Sequence, residues 1–309
     1  MQQSYGYQDN ACALRHVCST IALGCAVMMV LMQAIGVIMI LGMQMISPRI
    51  AKSVLFSHLS SAIPFYCVGI PVFNLILRTL PNYPAEQKLR MRVDEVMTWM
   101  VITLGGMYVF NFLSIWINEL IGALKGSPVV NPVEPAVSNI PLTILFSVIL
   151  APIFEELVFR GMIINRLRPY GDKVCIFFSA LLFAMYHGNL YQMFYAFAIG
   201  LAFGYVALRT GHIGYTIGLH AFINLCGGII FPQLSLSSNE WVLDATGFFI
   251  VVLMISAVTL FAVNFYRFRR LNPGVPVFGK TKINLALFNP GMAVYTVTTL
   301  CLVFVFLFL

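Results

Sequence analysis

Nine runs of mostly apolar residues follow one another along this chain, with short polar linkers between them. They cover residues 17–46, 53–77, 97–118, 139–164, 174–188, 190–208, 213–231, 241–266 and 285–309. A helix needs about 20 apolar residues to cross the hydrocarbon core of a bilayer. Charged residues make up only 9% of the 309-residue chain, whereas a soluble domain carries roughly 25%. The sequence therefore predicts an all-α fold, a polytopic membrane bundle of about 8–9 transmembrane helices.

The basic residues are concentrated in alternate linkers, which lie on one side of the membrane if every run crosses it. These residues are Arg78, Lys88, Arg90, Arg92, Arg166, Arg168, Lys173, Arg209, Arg267, Arg269, Arg270, Lys280 and Lys282. The opposite linkers hold only Arg49, Lys52 and Lys125. Because cytoplasmic loops are enriched in Lys and Arg, we expect the N-terminus in the cytoplasm. The excess of Lys and Arg in cytoplasmic loops thus explains the net charge of +7. The expected partner is the lipid bilayer, and no nucleic-acid partner is expected.

The stretch 80–96 is the only long polar segment, and it lies on the predicted cytoplasmic side. Its mixture of apolar and charged residues is typical either of a short helix on the membrane surface or of a solvated loop. No internal repeat is visible. We therefore divide the chain into N-terminal transmembrane helices (1–138), a helical core (139–231) and C-terminal transmembrane helices (232–309).

Three ionisable residues interrupt the fourth apolar run, where each costs roughly 2.5–3.5 kcal/mol on insertion scales. Glu156 and Arg160 are four residues apart, so they lie on the same helix face and are expected to form an ion pair. Glu155 points about 100° away from that face and has no partner in its own run. The sequence therefore predicts one carboxylate held by Arg160 and one available carboxylate. Pro152 lies just before them, and a proline inside a span frees a backbone carbonyl.

Two intramembrane histidines follow in the next runs. His187 ends the fifth run, and His220 lies in the seventh run with Asn224 one helical turn later. At a rise of 1.5 Å per residue, Glu155, His187 and His220 lie at roughly similar depths. We therefore expect these groups to converge on one pocket that is reached from the cytoplasmic side.

These residues together resemble a known family. The segments Glu155-Glu156-Leu-Val-Phe-Arg160, Phe183-Ala-Met-Tyr-His187 and His220-Ala-Phe-Ile-Asn224 reproduce the EExxxR, FxxxH and HxxxN motifs of the CPBP family. This family comprises the CAAX protease and bacteriocin-processing proteins, including the type II CAAX prenyl endopeptidases. The resemblance covers residues 139–231. It implies an intramembrane endopeptidase that cleaves a membrane-associated peptide or protein, prenylated or with a leader, in the plasma membrane of a bacterium.

The resemblance also implies a role for each motif residue. Glu155 matches the base that activates a water molecule, and Glu156 with Arg160 matches the supporting pair. His187 matches the residue that shares the water with Glu155. His220 and Asn224 match the groups that stabilise the tetrahedral oxyanion.

The metal requirement stays open at this stage. Glu155, His187 and His220 would make a three-ligand zinc set with an open fourth position, and a purely glutamate-driven reaction uses the same residues. In a zinc site, Glu156 would more naturally be the free base. No H-E-x-x-H motif decides between the two.

Two other classes of function remain as alternatives. Some members of the family are non-catalytic scaffolds, bacteriocin-immunity factors or regulators. A proton-coupled transporter would also place Glu and His in the membrane, but it usually has paired, repeated halves.

Overall fold

The computed structural model describes residues 2–131, 139–277 and 281–308, and within these ranges the chain is helical with no strand. The helices are α1 (Gln2–Ile46), α2 (Pro48–Ala51), α3 (Val54–Leu77), α4 (Val93–Lys125), α5 (Ile140–Tyr170), α6 (Asp172–Tyr186), α7 (Leu190–Thr210), α8 (Ile213–Ser235), α9 (Glu240–Arg270), α10 (Lys282–Leu287) and α11 (Pro290–Phe308). Residues 132–138 next to the predicted domain boundary, Lys280 and Leu309 lie outside the described residues.

Eight of the described helices are long and apolar enough to cross a membrane: α1, α3, α4, α5, α7, α8, α9 and α11. The all-α polytopic bundle is therefore confirmed. The fifth apolar run, 174–188, corresponds to α6, which is not among these eight because it has only 15 residues and is therefore about 22 Å long at 1.5 Å per residue. That length is short of the roughly 30 Å hydrocarbon core. Most of its side chains are buried among other helices rather than exposed to lipid.

The bundle is organised around α7, which packs along α6 on one side and along α4 on the other. Helix α9 packs on the outside of α4, and α1 packs against α11 and α3. Helix α5 has π-helical turns at Ile144–Leu150 and Leu157–Ile163, on both sides of the α-helical turn Ala151–Glu156. The two adjacent glutamates therefore lie at the end of a regular turn between two wider ones, a distortion that is frequent at functional sites.

The basic linkers do meet at one end of the bundle. One cavity there is lined by residues from four different parts of the chain, including Glu95, Asp172, Arg209 and Arg267. A neighbouring cavity brings Lys88 together with the arginines at the end of α5. We call this side the basic end of the bundle.

Residues 81–92 form an extended strap across the basic end, not a surface helix. Pro81 and Pro84 oppose helix formation. The strap is held by backbone hydrogen bonds from Tyr83 N to Asn165 O (2.8 Å) and from Leu89 N to Thr210 O (2.7 Å). Of the two alternatives for this polar segment, the loop is therefore correct.

The small-residue pattern at Gly200 and Gly204 brings α7 close to α6. An added Cβ at Gly200 would lie 3.1 Å from Ala180 Cα, and one at Gly204 would lie 3.1 Å from Ile176 Cα. Small residues at such positions let two helix backbones approach each other. Helix α7 is thus fixed against α6, whose last residue, Tyr186, precedes His187.

Adjacent glycines in α4 provide a matched test of this packing. We expect Gly105→Ala to lower the free energy of unfolding by about 1–3 kcal/mol, because its Cβ would lie 2.4 Å from Leu253 O and 2.5 Å from Ala257 Cβ on α9. Gly106→Ala meets no atom within 4 Å and should stabilise the helix by roughly 0.5–1 kcal/mol. Thermal unfolding of both variants in detergent measures the difference, and equal midpoints would contradict the α4–α9 contact.

Candidate active site

The expected ion pair between Glu156 and Arg160 is present in the interior of the bundle. Arg160 Nη1 donates to Glu156 Oε1 at 2.8 Å, and both side chains are fully buried. Two charges in such a place are stable only when they are paired and hydrogen-bonded. The pair explains how one apolar helix carries both residues.

Arg160 is held by contacts from two other helices. Its Nη2 donates to the backbone oxygen of Gly200 on α7 at 3.3 Å. Its guanidinium lies 4.5 Å from the ring centre of Phe183 and 5.2 Å from that of Phe203. An added Cβ at Gly200 would lie 3.4 Å from Nη2, so the glycine leaves room for the guanidinium. The small-residue pattern at Gly200 predicts close helix packing but not this contact, and Phe203 was not recognised from sequence, since an aromatic residue in an apolar run is unremarkable.

Glu156 also binds His220, a contact that the sequence did not predict. His220 Nδ1 lies 3.1 Å from the same Glu156 Oε1 that accepts from Arg160. A carboxylate paired with arginine is ionised and accepts only, so the proton of this bond belongs to Nδ1. In the neutral ring, Nε2 is then an acceptor. A carboxylate that fixes the tautomer and orientation of a histidine is a common supporting arrangement.

Glu155 differs from its neighbour in both exposure and partners. Its side chain is 13% exposed, against 0% for Glu156, and its Oε2 lies 3.8 Å from His220 Nε2. This separation is too long for a hydrogen bond. His220 therefore lies between the two glutamates, with Nδ1 bonded to the buried one and Nε2 facing the other. Glu155 is the carboxylate that is not held by Arg160, as the sequence predicted.

Asn224 ties α8 to α5 through a carbonyl that Pro152 leaves free. In the π-helical turn, Ala151 N donates to Phe146 O, five residues earlier. The next donor in this register would be residue 152, but proline has no N–H. The carbonyl of Ser147 instead accepts from Asn224 Nδ2 at 2.8 Å. The expectation that Pro152 frees a carbonyl is thus confirmed, and one of the two amide hydrogens of Asn224 is used here.

His187 follows the last turn of α6. Its Nδ1 lies 2.9 Å from the carbonyl oxygen of Phe183, and because a carbonyl only accepts, Nδ1 carries the proton. The ring of Phe183 lies between the histidines, with centroid distances of 5.0 Å to His187 and 5.8 Å to His220. Phe183 thus contacts Arg160 and both histidines, which gives the first residue of the FxxxH pattern a structural role.

Three tyrosines that sequence reasoning missed surround Glu155. Tyr66 on α3, Tyr186 on α6 and Tyr195 on α7 lie close enough to interact electrostatically with its carboxylate. Tyr66 also stacks on Phe154, with 4.2 Å between ring centres. Only Tyr186 had a sequence signal, its position next to His187. The surroundings of the available carboxylate are therefore aromatic and contain phenol groups.

The positions of the donor atoms decide whether Glu155, His187 and His220 can form the zinc set. Among the described residues, no three His, Cys, Asp or Glu side chains come together in a group that could hold a metal ion. Glu156, the candidate base of a zinc reaction, is engaged by Arg160 and His220. The donors of Glu155, His187 and His220 therefore do not fit a metal centre as they stand, and we derive no reaction step through one.

A comparison with known protein families matches the segment that contains the three motifs. Residues 137–226 match the family described as type II CAAX prenyl endopeptidase, Rce1-like. The chain resembles the type II CAAX prenyl endopeptidases. The likeness inferred from the three motifs is thereby confirmed, and all seven residues that define the motifs lie inside the matched segment.

Two curated proteins are similar to this chain at low sequence identity. "Putative membrane peptidase YdiL" of Bacillus subtilis is 26% identical over 165 residues, which is 50% of this chain and 64% of that protein. "Membrane-embedded CAAX protease MroQ" of Staphylococcus aureus is 25% identical over 159 residues, 48% of this chain and 64% of that protein. The chain thus covers slightly less than two thirds of the length of each relative. No solved structure matches it significantly.

The buried ion pair predicts a strong stability coupling. We expect Arg160→Met to lower the free energy of unfolding by about 3–5 kcal/mol, because Glu156 is left charged and unpaired in the interior. The double variant Arg160→Met/Glu156→Gln should lose less than the sum of the two single variants. A double-mutant cycle by denaturant unfolding in mixed micelles measures this coupling.

The matched control is the exposed ion pair of Arg92 and Asp94, whose side chains are 75% and 64% exposed. Arg92→Met should change stability little, because exposed pairs contribute little. Additive losses in the Arg160 cycle, or an effect of Arg92→Met as large as that of Arg160→Met, would contradict the buried coupling.

Proposed function

We propose that this integral membrane protein is an intramembrane endopeptidase that hydrolyses a peptide bond of a membrane-associated substrate, with Glu155 as the general base. The observation that carries the proposal is the difference between two adjacent glutamates. Glu156 is fully buried and bound by Arg160 and His220, whereas Glu155 is partly exposed and faces His220 Nε2. The family match and the printed names of the relatives, a membrane peptidase and a CAAX protease, support it.

Glu155 and His220 can bind one water molecule together. Two acceptors 3.8 Å apart can each be about 2.8 Å from a water placed beside them. The water then donates one hydrogen to the Glu155 carboxylate and the other to Nε2. The resemblance gave the second position to His187; the contacts favour His220, because Glu156 fixes its Nδ1 proton and therefore its orientation.

The reaction then follows from the positions of these groups. Glu155 takes a proton from the water as the oxygen attacks the scissile carbonyl carbon, and the C=O electron pair moves to the carbonyl oxygen. When the tetrahedral intermediate collapses, the C–N bond breaks and protonated Glu155 returns the proton to the leaving nitrogen. The products are a carboxylic acid and an amine. A carboxylate removed from bulk water is a stronger base than a solvated one.

We assign the stabilisation of the developing oxyanion to Asn224, as the family resemblance implies. One amide hydrogen binds Ser147 O, so the side chain is held in a single orientation while its second hydrogen is available. His220 donates from Nε2 only when it carries a second proton, because Nδ1–H is used by Glu156. A donor fixed in advance at an oxyanion contributes about 2.7–4 kcal/mol in measured cases.

The substrate class follows from the location of the site. The matched segment lies in the membrane bundle, so the scissile bond must reach it from a chain that is already at the membrane. A prenylated C-terminus or a hydrophobic leader meets this requirement. We also place the basic end, and with it the N-terminus, on the cytoplasmic side of a bacterial plasma membrane, following the distribution of Lys and Arg.

Replacement of the proposed base tests this function. We expect Glu155→Gln to reduce the cleavage rate of a membrane-anchored fluorogenic peptide at least about 100-fold, because the amide cannot accept the proton of the water. Glu119→Gln, an exposed glutamate on α4, is the control and should cleave at the wild-type rate. Equal cleavage rates for Glu155→Gln and wild type would show that Glu155 is not the general base. Rescue of a deletion phenotype by Glu155→Ala/His187→Ala would favour a scaffold or immunity function.

Chelation separates the glutamate reaction from a metal-dependent one. Because the donors do not fit a metal centre, we expect activity to survive treatment with a strong chelator. Elemental analysis of the treated sample checks that it is metal-free. Loss of activity that returns on addition of Zn²⁺ would overturn the glutamate-driven version, while leaving the endopeptidase itself in place.

A further inference from the structure

An apolar groove of about 650 Å³ lies between α4, α6, α7 and α9. Its walls include Ile102 and Phe110 of α4, Phe177 of α6 and Phe261 of α9. Among the described residues that line it, Lys173 is the only charged one. The described walls of the groove are thus apolar apart from one cation.

The helix directions show where this cation lies. Helices α4 and α6 begin at the basic end, so Ile102 is nearer to that end and Phe110 is deeper in the bundle. Their separation of eight positions corresponds to about 12 Å along the helix. Lys173 is the second residue of α6 and therefore lies at the basic end of the groove. The groove accordingly extends from a charged rim into the apolar interior of the membrane.

A second cavity continues the groove at this rim. It has a volume of about 350 Å³ and shares Lys173, Leu271 and Ile283 with the groove. Two more cations, Arg269 and Lys282, line it, and none of its described lining residues is acidic. Within the described ranges, none of the three cations forms an ion pair. We call this cavity the basic pocket.

The nearest carboxylate along the chain, Asp172, does not line the basic pocket. Asp172 accepts a hydrogen bond from Asn272 N at 2.8 Å, and it lines a different cavity, the one that contains Arg209. Lys282 Nζ donates to the carbonyl oxygen of Pro273. A carbonyl carries no net charge, so the positive charge of this lysine remains available to an anion.

We propose that the groove and the basic pocket form one binding site for an anionic glycerophospholipid, with an acyl chain in the groove and the phosphate among Lys173, Arg269 and Lys282. A ligand for this site must be apolar over about 12 Å and anionic at one end. Anionic lipids have this chemistry, and basic pockets between membrane helices bind their headgroups. The site is independent of Glu155 and of the proposed reaction.

Headgroup selectivity tests the proposal. The full-length protein is purified in detergent, equilibrated with equal amounts of phosphatidylglycerol and phosphatidylcholine of identical acyl chains, and washed. Mass spectrometry then measures the lipid retained per protein. We expect phosphatidylglycerol to be retained about tenfold over phosphatidylcholine, since each basic residue adds to the attraction.

Two variants address the two parts of the site. Lys173→Gln/Arg269→Gln/Lys282→Gln should remove the preference for phosphatidylglycerol. Its control, Arg49→Gln/Lys52→Gln/Arg78→Gln, removes the same charge from exposed positions outside the site. Gly106→Leu places a side chain in the groove, where an added Cβ meets no atom within 4 Å, and should reduce the retention of both lipids. Gly42→Leu on α1 also meets no atom and is its control.

Size-exclusion profiles check that the variants are folded. If the triple variant aggregates, the single variant Lys173→Gln replaces it, because the side chain of Lys173 is exposed. A preference of about tenfold supports the proposal if the three-cation variant abolishes it while its control keeps it, and if Gly106→Leu but not Gly42→Leu lowers the retention of both lipids. Equal retention of the two lipids by wild type, or equal losses in the site and control variants, would show ordinary boundary lipid and overturn it.

Discussion

The buried network of Arg160, Glu156 and His220 is the interaction on which the core of this structure depends. Arg160 brings a full charge into an apolar interior, and it is held there by a carboxylate, a backbone carbonyl and two aromatic rings. These partners come from α5, α6 and α7, and His220 adds α8. Removing one member of such a group leaves an uncompensated charge, which costs far more than the pair contributes. The network therefore fixes four helices relative to one another.

The same network gives two adjacent glutamates different chemical environments. Consecutive residues on a helix point about 100° apart, so only Glu156 lies on the face of Arg160. Glu155 is left facing His220 Nε2 in surroundings of phenol rings. The protein thus has one carboxylate that supports a histidine and one that Arg160 does not hold, which is the base of the proposed reaction. That arrangement links the stability of the helical core to the geometry needed for hydrolysis.

Part of the fold and of the candidate site was predictable from the sequence, because the signals for it are local. The four-residue spacing of Glu156 and Arg160 predicts their pairing, and a proline in a span predicts a free carbonyl. The bond between Glu156 and His220 joins residues 64 positions apart, and no local spacing encodes it. Helix α6 was counted as a span because apolar content does not distinguish a helix buried in protein from one that faces lipid. The strap at 81–92 is fixed by contacts with α5, α7 and α8 that its own sequence does not show.

The central claim, that the two glutamates have separate duties, is tested most directly by comparing Glu155→Gln with Glu156→Gln in two assays on the same preparations. The assays are the thermal unfolding midpoint in detergent and the cleavage rate of a membrane-anchored peptide. The account predicts that Glu155→Gln keeps the wild-type midpoint and loses cleavage, whereas Glu156→Gln lowers the midpoint as well as the rate. A Glu156→Gln variant as stable as wild type, or a Glu155→Gln variant that still cleaves, would contradict it.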